Sequence, residues 1–288
     1  MGSDSRGRFV WHELHTTDPD AAIVFYGKVI GWKPRSFAKG SPYRLWNKGS
    51  ASYGGLIALA ENDRLLGIRP HWLAYISVPD VTATVQQARG LGARVRVEPA
   101  DVPGGGRYAV LRDPQDVTFA VFTADRPAKG NEADVALGDF TWHELTTRDW
   151  KAAWEFYRAL FGWEQADAMD MGPAGVYQMF RRAGGQVPIG GMYNLSSGQP
   201  AQWLSYARVP TADRAAVVVP QAGGRVVAGP MDVPNHGRVT ICIDPQGAGF
   251  AVHSMPGATA TKPKATKKKP KLKAKPKPKA KKKARKRK

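Results

Sequence analysis

The sequence predicts an α+β fold: two tandem copies of one domain, followed by a short polymer of a different kind. Three observations carry this. A long set of residues recurs 131 positions later, each copy alternates strand-like and helix-like patterns, and the positive charge is concentrated at the C-terminal end. Phe9-Val-Trp11-His12-Glu13-Leu14 returns as Phe140-Thr-Trp142-His143-Glu144-Leu145. Asp18, Phe25, Tyr26, Gly31 and Trp32 return as Asp149, Phe156, Tyr157, Gly162 and Trp163. Trp72, Leu73 and Tyr75 match Trp203, Leu204 and Tyr206, and Asp113-Pro-Gln115 matches Asp244-Pro-Gln246. So many matches at one offset identify a tandem duplication. At 288 residues the chain is long enough for two domains, each expected to have its own core.

Each copy opens on an alternating run, Phe9 to Thr16 or Phe140 to Thr147, that reads as a strand. Thr17-Asp18-Pro19 then offers an N-cap with proline at the first turn. Ala21, Ala22, Phe25, Tyr26 and Val29 follow at helical spacing, and Gly31 ends the helix. Short strands include Tyr43-Arg-Leu-Trp46 and Leu56-Ile-Ala-Leu59. A second strand and helix run from Trp72 to Val78 and from Val81 to Leu91, and further strands end at Thr118 to Phe122. The copy is βαβββ written twice, and its counterpart contains Trp203–Val209, Arg214–Ala222 and Gly249–His253. The expected boundaries are 8–124 and 139–255 for the domains, 125–138 for the linker and 256–288 for the tail.

The formal charge is +19, but 17 of the 43 Lys and Arg lie between Lys262 and Lys288, where there is no Asp or Glu. The other 26 face 24 acids, so the body carries a net charge of only +2. The tail repeats Lys, Pro and Ala and has too little apolar surface to fold, so it is expected to be disordered. It resembles the tails of linker histones and of bacterial histone-like proteins. Such a chain binds nucleic acid or another polyanion by counterion release, without reading sequence. Acidic membranes and a merely solubilising role are the competing readings. The single cysteine, Cys242, makes no internal disulfide possible and reads as a small buried residue. With no apolar run of membrane-spanning length and no signal-peptide pattern, the expectation is a cytoplasmic protein, with nucleoid association through the tail.

The pattern Trp-His-Glu-Leu-x-Thr-x-Asp, then Phe-Tyr and Gly-Trp, resembles the vicinal oxygen chelate superfamily of glyoxalases, bleomycin-resistance proteins and extradiol dioxygenases. The Asp-Val-Pro-x-x-Gly-Arg … Asp-Pro-Gln run resembles a glyoxalase-related branch. The resemblance covers about residues 8–124 and 139–255 and implies curved mixed sheets forming cups. It also implies a divalent metal held by His and Glu from the first and last strands of each βαβββ half. Aligned on the family pattern, those places hold Trp11, Leu73 and Ala120, and Trp142, Leu204 and Ala251. Indole, isobutyl and methyl groups cannot ligate a metal, so no metal and no cofactor is expected. Strand alternation turns His12 and His143 to the opposite face, against the helix.

The cup faces then offer Trp11, Glu13, His15 and Tyr75 in the first copy, and Trp142, Glu144, Thr146 and Tyr206 in the second. Aromatic walls with one carboxylate suit a flat or apolar small molecule. Glu13 and Glu144 are candidate general bases, with pKa values expected to be raised by the surrounding rings. The alternative is that each carboxylate only hydrogen-bonds the backbone or pairs with an arginine. Arg107 and Arg238 follow glycine-containing turns and could clamp an anionic group of a ligand. They could equally brace Asp101 or Asp113, and Asp232 or Asp244. The resulting expectation is a metal-independent small-molecule-binding protein of the glyoxalase/bleomycin-resistance type with a polyanion-binding tail. The alternative is a glyoxalase-related lyase, isomerase or hydroxylase using Glu13 or Glu144. Homodimerisation stays open at this point, and Thr146 in place of His15 suggests that the two cups differ.

Overall fold

The computed structural model describes residues 6–125, 135–233 and 237–256. The tail and most of the linker lie outside them. The first copy runs β1 (Phe9–Thr16), α1 (Pro19–Val29), β2 (Lys33–Ser36), β3 (Arg44–Lys48) and β4 (Ala51–Ala58). A short α2 (Glu61–Leu65) then leads to β5 (His71–Ser77), α3 (Val81–Gly90), β6 (Arg94–Asp101), β7 (Arg107–Arg112) and β8 (Thr118–Thr123). The second copy has β9 (Phe140–Thr147), α4 (Trp150–Phe161), β10 (Glu164–Asp170), β11 (Val176–Arg181) and β12 (Gly190–Asn194). It ends with β13 (Gln202–Arg208), α5 (Ala212–Gln221), β14 (Arg225–Val233), β15 (Gly237–Ile243) and β16 (Gly249–Ser254). The βαβββ unit is therefore used four times. Neither α2, a single polar turn with no buried residue, nor the 3-10 turn Gly172–Ala174 between β10 and β11 was anticipated from the sequence.

Local chemistry sets the helix starts. Asp18 caps α1 through its carboxylate to the Ala21 N–H with Pro19 next, and Asp149 caps α4 through Lys151 and Ala152. Each copy then forms one mixed eight-stranded sheet, in the orders β2-β3-β4-β1-β5-β8-β7-β6 and β10-β11-β12-β9-β13-β16-β15-β14. The opening strands of the two units, β1 and β5, pair antiparallel at the centre, as β9 and β13 do. β4 and β8 flank that pair in parallel, as β12 and β16 do in the second sheet.

The expectation of one core per copy is corrected, because both main cores are shared. One joins α1, β1, β4 and Trp72 of the first copy to α5, Cys242, Phe250 and Val252 of the second. The other joins α3, β7 and β8 of the first copy to α4, Phe180, Met192 and Trp203 of the second. The helices pack between the sheets, α1 against α5 and α3 against α4, and central strands β5 and β13 meet between them. The two sheets thus meet on their helix-bearing faces, and their other faces look away from each other. The physical reason is patterning. The helix-side faces carry the bulky Phe, Trp and Leu set, which cannot be covered by one thin α-layer per copy.

Paired polar links cross this interface with twofold repetition. Tyr26 Oη donates to Asp244 Oδ2 and Tyr157 Oη to Asp113 Oδ2, both at 3.0 Å. Trp72 Nε1 donates to Tyr26 and Trp203 Nε1 to Tyr157. Trp32 and Trp163 donate across to the Gly138 and Gly7 carbonyls. The recurring Phe-Tyr, Gly-Trp and Asp-Pro-Gln motifs are therefore largely the seam between copies.

At the centre of the seam His12 and His143 touch, Nε2 to Nε2 at 2.8 Å, stacked on Phe140 and Phe9 respectively. They do turn away from the cups, but against each other rather than against a helix. His143 Nδ1 lies 3.2 Å from the Ile189 carbonyl, which only accepts, so Nδ1 carries the proton. The Nε2 of neutral His143 is then an acceptor, and His12 Nε2–H is the donor.

Candidate functional site: two carboxyl cups

Tyr75, Leu73, Val110 and Ala120 form a small cluster with Trp11, Tyr108 and Phe122 on the outer face of the first sheet. The matching cluster in the second sheet holds Leu204, Tyr206, Val239 and Ala251 with Trp142 and Ile241. Into each projects the glutamate of the central strand, only 9% exposed for Glu13 and 8% for Glu144. The parity is that of the strand: Trp11, Glu13 and His15 share one face of β1, and His12 and Leu14 take the other.

Tyr75 Oη donates to Glu13 Oε1 at 3.2 Å, and His15 Nε2 stands 2.7 Å from the same oxygen. A third partner, Tyr43, also hydrogen-bonds Glu13 and accepts from Trp11 Nε1 at 2.9 Å. The second cup repeats the pattern with Trp142 Nε1 donating to Tyr177 Oη at 2.6 Å and Tyr177 Oη to Glu144 Oε2 at 3.1 Å. Tyr206 donates to Glu144 Oε2 at 3.0 Å and Tyr193 to Oε1 at 3.5 Å.

Tyr43 and Tyr177 went unseen in the sequence. They are equivalent in register but 134 positions apart (177 − 43), so a search at offset 131 passes them by. The available signal was the glycine pair in β4 and β12. A Cβ on Gly55 would overlap the Tyr43 hydroxyl, and one on Gly191 would overlap the Tyr177 ring. Glycine inside a strand marks such a close approach.

Both carboxyls were expected to titrate high, and Glu13 is corrected. Burial alone would raise it, but the contact and charge of His15, with the Tyr43 and Tyr75 hydroxyls, outweigh burial and hold it below the usual range. Glu144 keeps the expected direction: burial raises it, and the three phenols only partly oppose that. The phenols shift upward in turn and stay protonated as donors; Tyr193 is pushed up to about 12, first by burial and then by Glu144.

Arg107 and Arg238 do not join the cups. Arg107 binds Asp101 at 2.6 Å and the Pro99 carbonyl, on the side of the sheet that carries α3. Arg238 binds Asp232 at 2.8 Å and Asp213 on α5. Position parity explains this, because Arg107 alternates with cup-facing Tyr108 on β7. Asp113 and Asp244 serve the interface tyrosines instead. Thr146 is buried beside Tyr193 in the second cup, and Cys242 is buried in a shared core with its thiol pushed up to about 12 by burial.

The glyoxalase/bleomycin resistance protein/dioxygenase superfamily model matches residues 8–121 and again 139–252. The chain belongs to that superfamily. It is 30% identical over 245 residues to CFP32 of Mycobacterium tuberculosis, whose name assigns it provisionally to the glyoxylases; the match covers 84% of this chain and 92% of the relative. It is 28% identical over 262 residues to the anthracycline biosynthesis protein DnrV of Streptomyces peucetius, covering 85% and 92%. Among solved structures, the Mn(II)-bound glyoxalase of Novosphingobium aromaticivorans superposes with a TM-score of 0.57 at 16% identity, covering 87% of this chain and 82% of that one. The 2,3-dioxygenase LapB of Pseudomonas sp. KL28 gives 0.59 at 10% identity, covering 87% and 93%. These structural likenesses concern the fold.

A metal such as the Mn(II) of that glyoxalase does not fit these cups. Among the described residues no three His, Cys, Asp or Glu side chains come together as a ligand set. The second cup offers one carboxyl engaged by phenols alone. The first offers one carboxyl engaged by phenols and His15, with His71 stacked behind that ring. The remaining cup-facing neighbours on β5 and β8, or on β13 and β16, are Leu, Tyr and Ala. Hard divalent ions need several oxygen or imidazole donors that are free to turn inward.

Proposed function

We propose that the protein binds a small, flat, oxygen-bearing molecule in its two cups without a metal. A single observation carries this reading. In both copies a buried glutamate on the outer face of the central strand accepts from phenols, one of which in turn accepts from an indole, where the family pattern would place metal ligands. Aromatic walls supply area, and the carboxyl and hydroxyls supply orientation. The similarity to a protein named for anthracycline biosynthesis favours fused-ring aromatic ligands with hydroxyl or keto groups. A ligand oxygen that reaches the carboxyl takes over a hydrogen bond now made by a tyrosine.

The test is quenching of tryptophan fluorescence by a bicyclic aromatic such as 1-naphthol, with Trp11 and Trp142 as the reporting rings. Saturable quenching that weakens about tenfold in Glu13→Gln or Glu144→Gln supports the reading, given that hydrogen bonds to charged or buried groups are the strong ones. Quenching that is linear in ligand, or indifferent to both substitutions, refutes it.

The acid–base alternative is favoured by one feature, the Glu13–His15 pair at 2.7 Å. It predicts turnover that is lost in Glu13→Gln while ligand affinity persists. The tail, with 17 cations and no acid between Lys262 and Lys288, is proposed to hold the body on a polyanion, nucleic acid first. Deleting residues 257–288 should then abolish DNA retention and its steep salt dependence. Retention that survives the deletion would refute that role.

A further inference from the structure

The two cups are not copies in chemistry. In the first, β1 supplies His15, whose cross-strand neighbour on β5 is His71, and the two rings stack at 5.0 Å. In the second, the same two places hold Thr146 and Gln202. The parallel neighbour changes as well: Ile57 beside His15 becomes Tyr193 beside Thr146. Two imidazoles are lost and one phenol is gained.

Resting on the reading that the cups bind small molecules, we propose that they take different functional groups. The first takes an acidic hydroxyl, a phenol or enol, on the Glu13 carboxylate. The second takes the carbonyl oxygen of a ketone or quinone on the O–H donors gathered at Glu144.

The groups around each carboxyl lead there. Glu13 faces His15 from its own strand, Tyr75 from β5 and Tyr43 from the segment before β3, with His71 behind His15 and Tyr108 of β7 beside Tyr75. An imidazole 2.7 Å away stabilises the ionised form, and an ionised carboxylate can only accept hydrogen bonds. Its complement is an O–H, the more acidic the better.

Glu144 faces Tyr177 of β11, Tyr193 of β12 and Tyr206 of β13, and no cationic side chain is among these partners. His253 of β16 lies at 2.9 Å from Thr141 Oγ1 instead. With no cation beside it, the carboxyl is ringed instead by three phenolic O–H groups, each a donor. Burial does raise Glu144 while Glu13 is held low. Its complement is an oxygen that only accepts.

The experiment is isothermal titration of the full-length protein at neutral pH with 1-naphthol and 1-tetralone, which share a bicyclic skeleton and differ in hydroxyl against ketone. The expected result is about one equivalent of each. His15→Thr should weaken 1-naphthol about tenfold relative to 1-tetralone, the loss of one charge-assisted arrangement. Thr146→His places an imidazole beside Glu144 and should raise the 1-naphthol stoichiometry towards two while 1-tetralone weakens. That gain cannot come from misfolding. Two equivalents of 1-naphthol in the wild type, or affinity ratios unchanged within about twofold in both variants, would overturn the division of labour and leave the cups as binding sites. Failure of both ligands to bind would overturn the binding reading as well.

Discussion

Gly55 and Gly191 are where a single missing atom shapes each cup. Each lies opposite the glutamate, in register with Glu13 or Glu144, and lets a tyrosine lie flat on the strand. Gly55→Ala should push Tyr43 off Glu13 and cost about 1–3 kcal/mol in urea denaturation, the usual range for an added methyl group in a packed site. A loss below about 0.3 kcal/mol would mean that Tyr43 is not held there. Much of the cup was legible from strand parity alone, which puts Trp11, Glu13, His15 and Tyr75 on one face. The tyrosine lining the cup beside each glutamate was not, because its place depends on loops of unequal length before β3 and β11. The direction of the Glu13 shift was also missed. Counting aromatic neighbours sees desolvation, but it does not see that His15, two residues along the same strand, reaches back to the carboxylate.

At the scale of elements, the seam rests on helices α1 and α4 reaching into the opposite copy. Tyr26→Phe removes the donor to buried Asp244 and should cost about 1–3 kcal/mol, part of it the unsatisfied carboxyl. A double-mutant cycle with Asp244→Asn should show coupling of at least about 0.5 kcal/mol between residues 218 apart in sequence. Additive effects would show that the pair is incidental. Phe25→Ala, which removes a fully buried ring packed on Phe250, should cost about 3–5 kcal/mol. The repeat announced both helices and their apolar stripes. It could not announce that the stripes serve the other copy, since periodicity reports that a face is buried but not by what.

For the whole molecule, shared cores predict one cooperative unfolding transition for residues 6–256 rather than two. They also predict that the first copy, expressed alone as residues 1–125, pairs with itself through the seam. A folded monomer of that fragment, measured by analytical ultracentrifugation, would contradict the shared-core account.

The buried histidine pair adds a pH signature. Burial lowers both His12 and His143, the latter to about 3, against an ordinary value of 6.5. The unfolded chain therefore binds more protons than the folded one between pH 6.5 and about 3. Stability from this source is complete above pH 6.5 and is lost as pH falls through that window. Asp113 and Asp244, raised first by burial, act in the opposite sense. Comparing Tm against pH for the wild type and His12→Gln isolates the histidine part: the acid slope should flatten in the variant. Parallel curves would refute it.

The most direct test of the central claim, ligand binding without metal, is titration of 1-naphthol into chelator-dialysed protein, repeated after adding Mn(II), Ni(II) or Zn(II). The account predicts saturable binding in the metal-free protein, with an affinity that the added ions leave unchanged. Binding that appears only once a metal is supplied would contradict it.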